Sequence, residues 1–431
     1  MWTRISFYSL KLSLRSLVRE LARNLWGRAL VYPALARNER SAAALNAYVA
    51  RRARALGVTA PADATRLQAV EPDAALLSKS ALRRDPARHV RPRRPASLLR
   101  NTIRTSGTSG SPLTLVQSLG AVLREEGFLY RQLRWIGWRP RQRRAWIRGD
   151  IVCARQPQDG RYWCRDWVGN MLMMSSYHLS NATIGAYITA LEAFDPVVIH
   201  AYPSSAAALA HWLEAHGRRY RGRALRGILT SSETLEPEVR AAIERAFDTV
   251  VFDWYGQAER VAAIGTCEHG RYHLLSDYGV VELLALGDGH AELVGTSLNN
   301  PAMPLRRYRT GDTVVVGNGG ACPCGRVFPT LEAVTGRQEQ AVTLPDGRIV
   351  ARLDRVFQGF DGRLVEGQVR YHGAGRFTLR VVAGAAFSQA DEAALCDAFL
   401  LRVPGVQVGV ERVGAIARGP NGKFEFVAAE V

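Results

Sequence analysis

The sequence predicts an α/β protein with a large N-terminal domain and a small C-terminal α+β domain. Between residues 143 and 259, short apolar segments alternate with amphipathic ones, which is typical of a mainly parallel sheet covered by helices. After residue 337, the predicted order of strand, strand, helix and strand is that of a compact α+β module. The 431 residues also exceed the ~250–300 at which a single core stops growing.

The predicted elements begin with a basic, helical N-terminal region. The segment 38–57 has the spacing of an amphipathic helix that stops at a glycine. A further helix is predicted over 118–138, and the run 143–150 is typical of a buried strand and its turn. The later elements of the α/β region are a helix at 184–194, a strand at 196–203, a helix at 204–217, a strand at 225–235, a helix at 237–248 and a strand at 249–259.

Beyond Asp277, short apolar runs separated by glycine, asparagine and proline indicate a β-rich subdomain. The sharpest change of pattern falls at 335–340, so we expect one domain at 1–336 and a second at 337–431. The predicted strands are 278–286, 290–298 and 305–316 in the subdomain and 367–373, 376–383 and 406–416 in the second domain, with a helix at 388–403.

The composition is that of a folded globular protein, with 47% hydrophobic and 22% charged residues and a mean hydropathy of −0.10. A net charge of +18 raises the question of a nucleic-acid partner. However, the excess is arginine spread over the whole chain. The densest runs, 83–95 and 138–148, lack a stacking platform of the kind that binds single strands. We therefore expect no nucleic-acid partner.

The first 35 residues mix arginine with leucine, valine and tryptophan at helical spacing. They lack the apolar core and cleavage site of a secretory signal, and no apolar run approaches the roughly 20 residues of a transmembrane helix. We expect a first helix packed on the body of the protein. The alternative is a basic amphipathic helix in peripheral contact with an anionic membrane.

A hydroxyl-rich loop follows the basic region. Thr105 to Gly110 combine serine and threonine donors with glycines that let backbone amides approach an anion, so the loop can hold phosphate. The lysine of a Walker-type phosphate loop is absent, which excludes that chemistry. A flexible linker is the alternative, but the loop precedes an α/β region that should fold around it.

Three later segments carry complementary groups. In "WYGQAE", Tyr255 could stack on a base and Glu259 could hold Mg²⁺ through oxygen. The turn "YRTGD" ends in Asp312, a carboxylate suited to the two hydroxyls of a ribose. The chain has lysine only at positions 11, 79 and 423, so Lys423 in "GPNGK" indicates a task that suits a compact ammonium.

Together these four segments resemble the adenylate-forming superfamily of acyl-CoA synthetases and ligases. More narrowly, "TSSETL", "VFDWYGQAERVAAIGTCEHGRYH", "AMPLRRYRTGD" and "CPCGRVFP" resemble the phenylacetate-CoA ligase family and its capsular-polysaccharide-associated branch. The resemblance covers roughly residues 80 to 431. It implies a large adenylate-forming domain that binds ATP and the acid, and a small mobile lid domain.

The resemblance also implies roles for individual residues. Glu259 would bind Mg²⁺, and Lys423 would lie between the acyl carboxylate and the α-phosphate during adenylation. Arg326 or Arg337 would reach the phosphate or ribose side. The implied ATP-binding residues are Thr105, Ser106, Gly107, Thr108, Ser109, Gly110, Ser232, Glu233, Tyr255, Gly256, Asp312 and Arg326. One departure is Glu339, at a hinge position where the family usually carries aspartate.

The cysteines form a separate pattern. Six cysteines in a chain without a secretory signal indicate reduced thiols and a cytoplasmic protein. Cys267, Cys322 and Cys324 with His273 make up the three sulfurs and one imidazole of a tetrahedral structural Zn²⁺ site. His269 is the alternative nitrogen ligand.

The resemblance implies a ligase that uses ATP and Mg²⁺ to convert a small carboxylic acid into an acyl-adenylate and passes the acyl group to coenzyme A. One alternative is transfer to a non-thiol acceptor in polysaccharide biosynthesis. Another is a non-catalytic scaffold in an envelope-polysaccharide assembly. The sequence leaves the acid unidentified, and a homodimer is expected only because dimers are the commonest assembly.

Overall fold

The structure is a computed structural model. It describes residues 7–71, 73–93, 97–104, 113–154, 157, 160–180, 182–317, 319–335, 342–350, 353–357, 359–360, 363–384, 386–416 and 426–429.

In chain order, the α-helices of the described residues are α1 (Phe7–Leu21), α2 (Tyr32–Asn38), α3 (Ala42–Leu56), α4 (Lys79–Arg84), α5 (Leu119–Trp135), α6 (Ile184–Phe194), α7 (Pro203–Ala215), α8 (Pro237–Phe247) and α9 (Gln389–Arg402). A π-helical segment, Ala22–Val31, joins α1 to α2, and short 3₁₀ turns lie at Ala87–His89, Ser176–His178 and Leu353–Phe357. The strands are β1 (Gln68–Ala69), β2 (Arg100–Arg104), β3 (Thr114–Ser118), β4 (Arg144–Arg148), β5 (Trp163–Asp166), β6 (Met171–Ser175), β7 (Val198–Ala201), β8 (Gly227–Ser231), β9 (Val251–Gly256), β10 (Ala263–Thr266), β11 (Tyr272–Leu274), β12 (Gly279–Gly287), β13 (His290–Ser297), β14 (Tyr308–Val315), β15 (Thr330–Leu331), β16 (Ala333–Val334), β17 (Val342–Thr343), β18 (Ile349–Val350), β19 (Leu364–Tyr371), β20 (Arg376–Ala383), β21 (Gln407–Arg412) and β22 (Val427–Ala429).

A nine-stranded sheet forms the centre of the large domain, in the order β15-β11-β10-β9-β8-β7-β4-β6-β5. Its middle strands, from β6 to β9, pair in parallel. The flanking strands pair antiparallel. The predicted α/β fold is confirmed. The sheet is parallel only in its middle, because tight turns rather than helices join β5 to β6 and β10 to β11.

The middle strands are buried on both faces, as expected when helices cover a parallel sheet. Every residue of β8 is buried, and α6 and α7 pack together with α8 and the sheet in one apolar cluster. The helix predicted at 184–194 is α6, and the five predicted elements that follow it are β7, α7, β8, α8 and β9. Helix α3 starts at the cap Ser41 and ends at Gly57, whose φ of +60° favours glycine.

The β-rich subdomain is a five-stranded sheet in the order β1-β12-β13-β14-β16. It packs closely against the central sheet at Gly279. A Cβ at this position would lie 1.9 Å from the carbonyl oxygen of Val261, so only glycine allows the approach. The three strands predicted from the change of pattern after Asp277 correspond to β12, β13 and β14.

The C-terminal residues form a four-stranded sheet in the order β21-β20-β19-β22, packed against α9. Its apolar cluster draws members such as Val369, Leu379 and Phe399 from residues 342–427. Ser388 and Asp391 form a capping box at the start of α9. The division into domains at 336 and 337 falls on residues outside the described ranges and stays a prediction.

The N-terminal segment lies against the large domain. Ser13 Oγ on α1 accepts a hydrogen bond of 3.0 Å from the backbone amide of Trp167, next to β5. Arg23 Nε donates to Glu126 Oε2 on α5 at 2.9 Å. Among the described residues, no helix combines the length and hydropathy needed to cross a bilayer.

A buried ion pair joins the helical region to the sheets. Arg131 on α5 makes two hydrogen bonds to Asp277, from Nη1 at 2.7 Å and from Nη2 at 3.0 Å. The exposed fractions of these side chains are 1% and 0%. Asn38 Nδ2, at the end of α2, donates to the same carboxylate at 3.1 Å.

We expect Asp277→Asn to lower the free energy of unfolding by about 3–5 kcal/mol, because it leaves the buried Arg131 guanidinium without its counter-charge. Urea unfolding followed by tryptophan fluorescence measures the change. The control is Glu214→Gln, which breaks the exposed pair with Arg245 and should cost about 1 kcal/mol or less. Equal effects of the two substitutions would contradict the special position of Asp277.

Candidate functional site

A cavity of about 550 Å³ opens at the carboxyl ends of the parallel strands. It is lined by Arg148 at the end of β4, His200 on β7, Ser231 at the end of β8 and Gly256 at the end of β9. Ligands of open α/β sheets bind in crevices at this edge. Asn101, Ile103 and Gln117 of the β2–β3 hairpin line the cavity as well, so the hairpin that brackets the predicted phosphate loop borders it.

The cavity lining is basic. It contains one carboxylate, Glu125, and five arginines: Arg19, Arg23, Arg144, Arg148 and Arg260. Burial, together with the neighbouring charge of Arg23, lowers the pKa of Arg144 to about 9, so it is still charged at neutral pH. Burial and the nearby Arg148 hold the pKa of His200 well below its usual range, so its ring is neutral. Such a lining favours an anionic ligand.

Ser232 forms a strained turn at the mouth of β8. Its φ of +73° lies in the left-handed region, which is sparsely populated by serine. Its hydroxyl accepts a hydrogen bond from Arg148 Nη2. Arg148 Nη1 lies 3.3 Å from His200 Nε2, and that nitrogen lies 3.2 Å from Ser231 Oγ. The turn that carries the predicted ATP-binding residues Ser232 and Glu233 is therefore held by a polar network on the neighbouring strands.

Glu233, the next residue, anchors the same turn to a helix. Its carboxylate accepts hydrogen bonds from the backbone amide of Ser204 at 2.9 Å and from the Ser204 hydroxyl at 3.1 Å. These groups lie in the first turn of α7, where a negative charge is favourable. Glu233 thus fixes the position of the turn that carries Ser232.

Two tyrosine–carboxylate hydrogen bonds hold the predicted acidic residues. Tyr255 Oη donates to Asp312 Oδ2 at 2.7 Å, and Tyr308 Oη donates to Glu259 Oε1 at 2.8 Å. Burial and the Asp312 charge raise the pKa of Tyr255 well above its usual value, so its hydroxyl stays a donor. Glu259 follows the lining residue Ala258 and precedes Arg260. The structure therefore brings the "WYGQAE" and "YRTGD" segments together beside the cavity.

Some predicted residues lie elsewhere. Thr105 to Gly110, Arg337 and Lys423 fall outside the described residues. Arg326 is described but does not line the cavity. Its Nη1 donates to Glu268 at 2.7 Å, and its guanidinium lies 4.2 Å from the ring centre of Trp135. Arg326 therefore lies beside the cysteine cluster, and its role in ATP binding stays a prediction.

The cysteine cluster consists of Cys267, His273, Cys322 and Cys324. All four residues are buried, and their ligand atoms lie within 4.8 Å of one another. The Sγ atoms of Cys267 and Cys322 are 3.6 Å apart, far beyond the ~2.05 Å of a disulfide, and Cys324 Sγ lies 3.4 Å from His273 Nε2. Burial lowers the pKa of His273 to about 4, so its ring is neutral, as a metal ligand must be.

The geometry distinguishes the two candidate histidines. His273 lies on β11, and its ring points into the cluster, whereas the side chain of His269 is exposed in the preceding turn. The backbone amide of His269 donates to Cys267 Sγ at 3.4 Å.

The sequence analysis did not identify the cavity residue Arg148, although its position at the end of a predicted strand is a signal. The contributions of Arg19 and Arg23 depend on long-range packing and carry no local signal.

No family profile matches the chain. A curated relative, the protein CapK of Staphylococcus aureus, is 23% identical over 214 residues, which cover 50% of this chain and 47% of that protein. The chain thus matches about half the length of this relative.

The solved structures similar to this chain include the following two proteins. A 2-hydroxyisobutyryl-CoA ligase in complex with 2-HIB-AMP and CoA has 18% identity and a TM-score of 0.48, over 99% of this chain and 91% of that chain. A Brucella canis acyl-CoA synthetase has 16% identity and a TM-score of 0.38, over 77% and 64%.

We expect Tyr308→Phe to lower the free energy of unfolding by about 1.5–3 kcal/mol, because Glu259 is buried and loses a hydrogen bond to a charged acceptor. Urea unfolding tests this expectation. The control is Tyr32→Phe, at a half-buried ring that packs edge-on against Tyr130, with an expected change within about 0.5 kcal/mol. A Tyr308→Phe protein as stable as the control would mean that the contact does not hold Glu259.

Proposed function

We propose that this protein is an acid–thiol ligase of the AMP-forming type, which uses ATP and Mg²⁺. The supporting observation is the basic cavity at the carboxyl ends of the parallel strands, with Ser232 and Gly256 in its lining and the Tyr255–Asp312 and Tyr308–Glu259 pairs beside it. Turns and carboxylates of these types can receive a nucleotide and an acid. The motifs that resemble adenylate-forming enzymes supply the reaction.

In the first half-reaction, the acid's carboxylate oxygen attacks the α-phosphorus of ATP. A new oxygen–phosphorus bond forms, the bond to the bridging oxygen breaks, and pyrophosphate leaves with its electron pair. Asp312 would accept hydrogen bonds from the ribose hydroxyls, and Glu259 would hold Mg²⁺ through a carboxylate oxygen, where the ion would neutralise phosphate charge. Lys423 stabilises the charge that builds on the attacking and phosphoryl oxygens.

In the second half-reaction, the sulfur of coenzyme A forms a bond to the acyl carbon, and the thiol proton passes to solvent. The bond between the acyl carbon and the AMP oxygen breaks, and AMP leaves with its electron pair as the thioester forms. Splitting the condensation in this way replaces one difficult step by two easier ones. The domain 337–431 would act as a lid that rotates to offer Lys423 for adenylation and another of its faces for transfer. The resemblance to the capsular-polysaccharide-associated branch supports a role in polysaccharide biosynthesis.

The cysteine cluster is proposed as a structural Zn²⁺ site with Cys267, His273, Cys322 and Cys324 as ligands. Three sulfurs and one neutral imidazole within 4.8 Å of one another form a closed set suited to tetrahedral Zn²⁺. The ion would join β10 and β11 to the loop after β14. The reduced thiols and the use of ATP support a cytoplasmic location.

Elemental analysis of the purified protein should give about one zinc per chain. The double variant Cys322→Ser, Cys324→Ser should lose the metal and unfold at lower urea concentration, because metal binding contributes to folding. Cys164→Ser is the control, since Cys164 is equally buried but lies on β5, outside the cluster. Metal-free wild-type protein of full stability, or zinc loss in the control alone, would exclude the site.

The ligase proposal is tested by ATP–pyrophosphate exchange across aromatic, fatty and sugar-derived carboxylic acids, with Mg²⁺ and without coenzyme A. We expect exchange with at least one acid, and Lys423→Ala should lower it by about 10²–10³-fold while ATP still binds. Lys79→Ala, a lysine on α4, should leave the rate unchanged. Full exchange in Lys423→Ala would refute its role, and silence with every acid despite ATP binding would favour a scaffold.

The acceptor is tested in a second assay with the acid found by exchange. Turnover that requires coenzyme A supports the thiol ligase. Turnover with an amine or hydroxyl acceptor, and none with coenzyme A, would identify a transferase instead.

A further inference from the structure

The N-terminal helical segment exposes a row of large apolar side chains, where a surface helix normally exposes polar ones. Helix α1 and the π-helical segment expose large apolar side chains, with exposed fractions from 43% to 74%. We call this set the outer stripe: Phe7, Leu10, Leu14, Leu17, Val18, Leu21, Leu25, Trp26 and Leu30. Over α1 its members recur at spacings of three and four residues, so they lie along one side of the helix.

The opposite side of α1 faces the protein and combines buried serines with Tyr8 and Leu12, which pack against a small apolar cluster. Ser9 and Ser13 are buried. The Ser9 hydroxyl donates to the carbonyl oxygen of Arg165, and Ser13 Oγ accepts from the Trp167 amide at 3.0 Å. The Ser16 hydroxyl donates to the carboxylate of Asp166. A surface helix with water on its outer side would be expected to place its apolar residues against the protein and its polar residues toward the water.

The segment is held in this orientation by its other contacts. Arg23 pairs with Glu126 on α5, and Gly27 lies so close to α5 that a Cβ would be 3.0 Å from the Glu126 carbonyl carbon. At the facing position, a Cβ on Gly127 would be 2.5 Å from Val31 Cγ1. The outer stripe therefore cannot turn inward without breaking a close helix crossing.

The charge around the outer stripe is positive. Lys11 and Arg15 on α1 and Arg28 in the π-helical segment are exposed. Glu20, the acidic residue of residues 7–31, pairs with Arg23 on the inner side. Two copies of this surface would bring like charges together, whereas an anionic lipid surface complements both the stripe and its flanks. Trp26 is also of the residue type enriched at membrane–water interfaces.

We propose that the outer stripe docks on an anionic lipid surface. Helix α1 and the π-helical segment lie parallel to the membrane plane, with the stripe inserted among the lipid head groups and Lys11, Arg15 and Arg28 at the phosphates. The contact is peripheral and does not depend on the proposed ligase activity. It attaches the large domain to the membrane through its N-terminal edge.

The test is co-sedimentation of the full chain with vesicles of phosphatidylcholine and phosphatidylglycerol, compared with vesicles of phosphatidylcholine alone. We expect stronger binding to the anionic vesicles that weakens with added salt. The triple variant Leu14→Ser, Leu17→Ser, Leu21→Ser should bind at least about a hundredfold more weakly, because three apolar side chains no longer insert. Lys11→Glu and Arg15→Glu should each cost about fivefold or more on anionic vesicles.

The matched control compares two single variants of equally exposed leucines. Leu17→Ser changes a residue of the outer stripe that is 51% exposed, and Leu286→Ser changes a residue of β12 that is 54% exposed. Only the first should weaken binding, and both should unfold at the wild-type urea concentration. Wild-type protein that ignores anionic vesicles, or a triple variant that binds them fully, would overturn the proposal. A wild-type dimer that does not bind vesicles, and that the triple variant dissociates, would assign the stripe to a second copy of the chain.

Discussion

The bidentate contact between Arg131 and Asp277 is the interaction on which the arrangement of the large domain depends. It joins α5 to the connection between β11 and β12, and Asn38 adds the end of α2 to the same carboxylate. The guanidinium also lies 4.9 Å from the ring centre of Phe328 and 5.3 Å from that of Phe128. Such a pair offsets the cost of burial only because its hydrogen bonds are satisfied in the same place.

Helix α5, which this ion pair holds in place, contacts both the cavity and the cysteine cluster. On one side Leu129 and Leu133 line the cavity. On the other side Trp135 lies edge-on to His273, with ring centres 5.9 Å apart, and Gln132 Nε2 donates to the carbonyl oxygen of Thr266 at 3.0 Å. The cavity and the cysteine cluster are therefore positioned by one helix, so a shift of α5 would disturb both.

Local patterns predicted much of the fold, because α6 and β8 obey spacing rules that hold without tertiary context. Those rules could not predict that the edge strands of the central sheet pair antiparallel, because a short apolar run has the same pattern whichever way its strand runs. For the site, Tyr255 and Asp312 were predicted from turns at strand ends, and they meet. The surroundings of Arg326 could not be predicted, because its partners, Glu268 and Trp135, become neighbours only after the sheet forms. Arg23 reaches the cavity from a distant helix for the same reason.

The close crossing of Gly27 and Gly127 has a consequence for how the N-terminal segment can vary. Successive residues in an α-helix are rotated by about 100° about the helix axis. The crossing of Gly27 and Gly127 holds the residues that follow α1 in place. One residue inserted into α1 would therefore rotate the apolar and serine sides that precede it by about 100°. Leucines would then take the positions of Ser9, Ser13 and Ser16 against residues 165–167, and Ser9 and Ser13 would take the positions of Tyr8 and Leu12 against an apolar cluster. Side chains on the outer surface can be exchanged without moving the backbone, but the number of residues between Ser9 and Gly27 cannot change. In this part of the chain, spacing is constrained more tightly than composition.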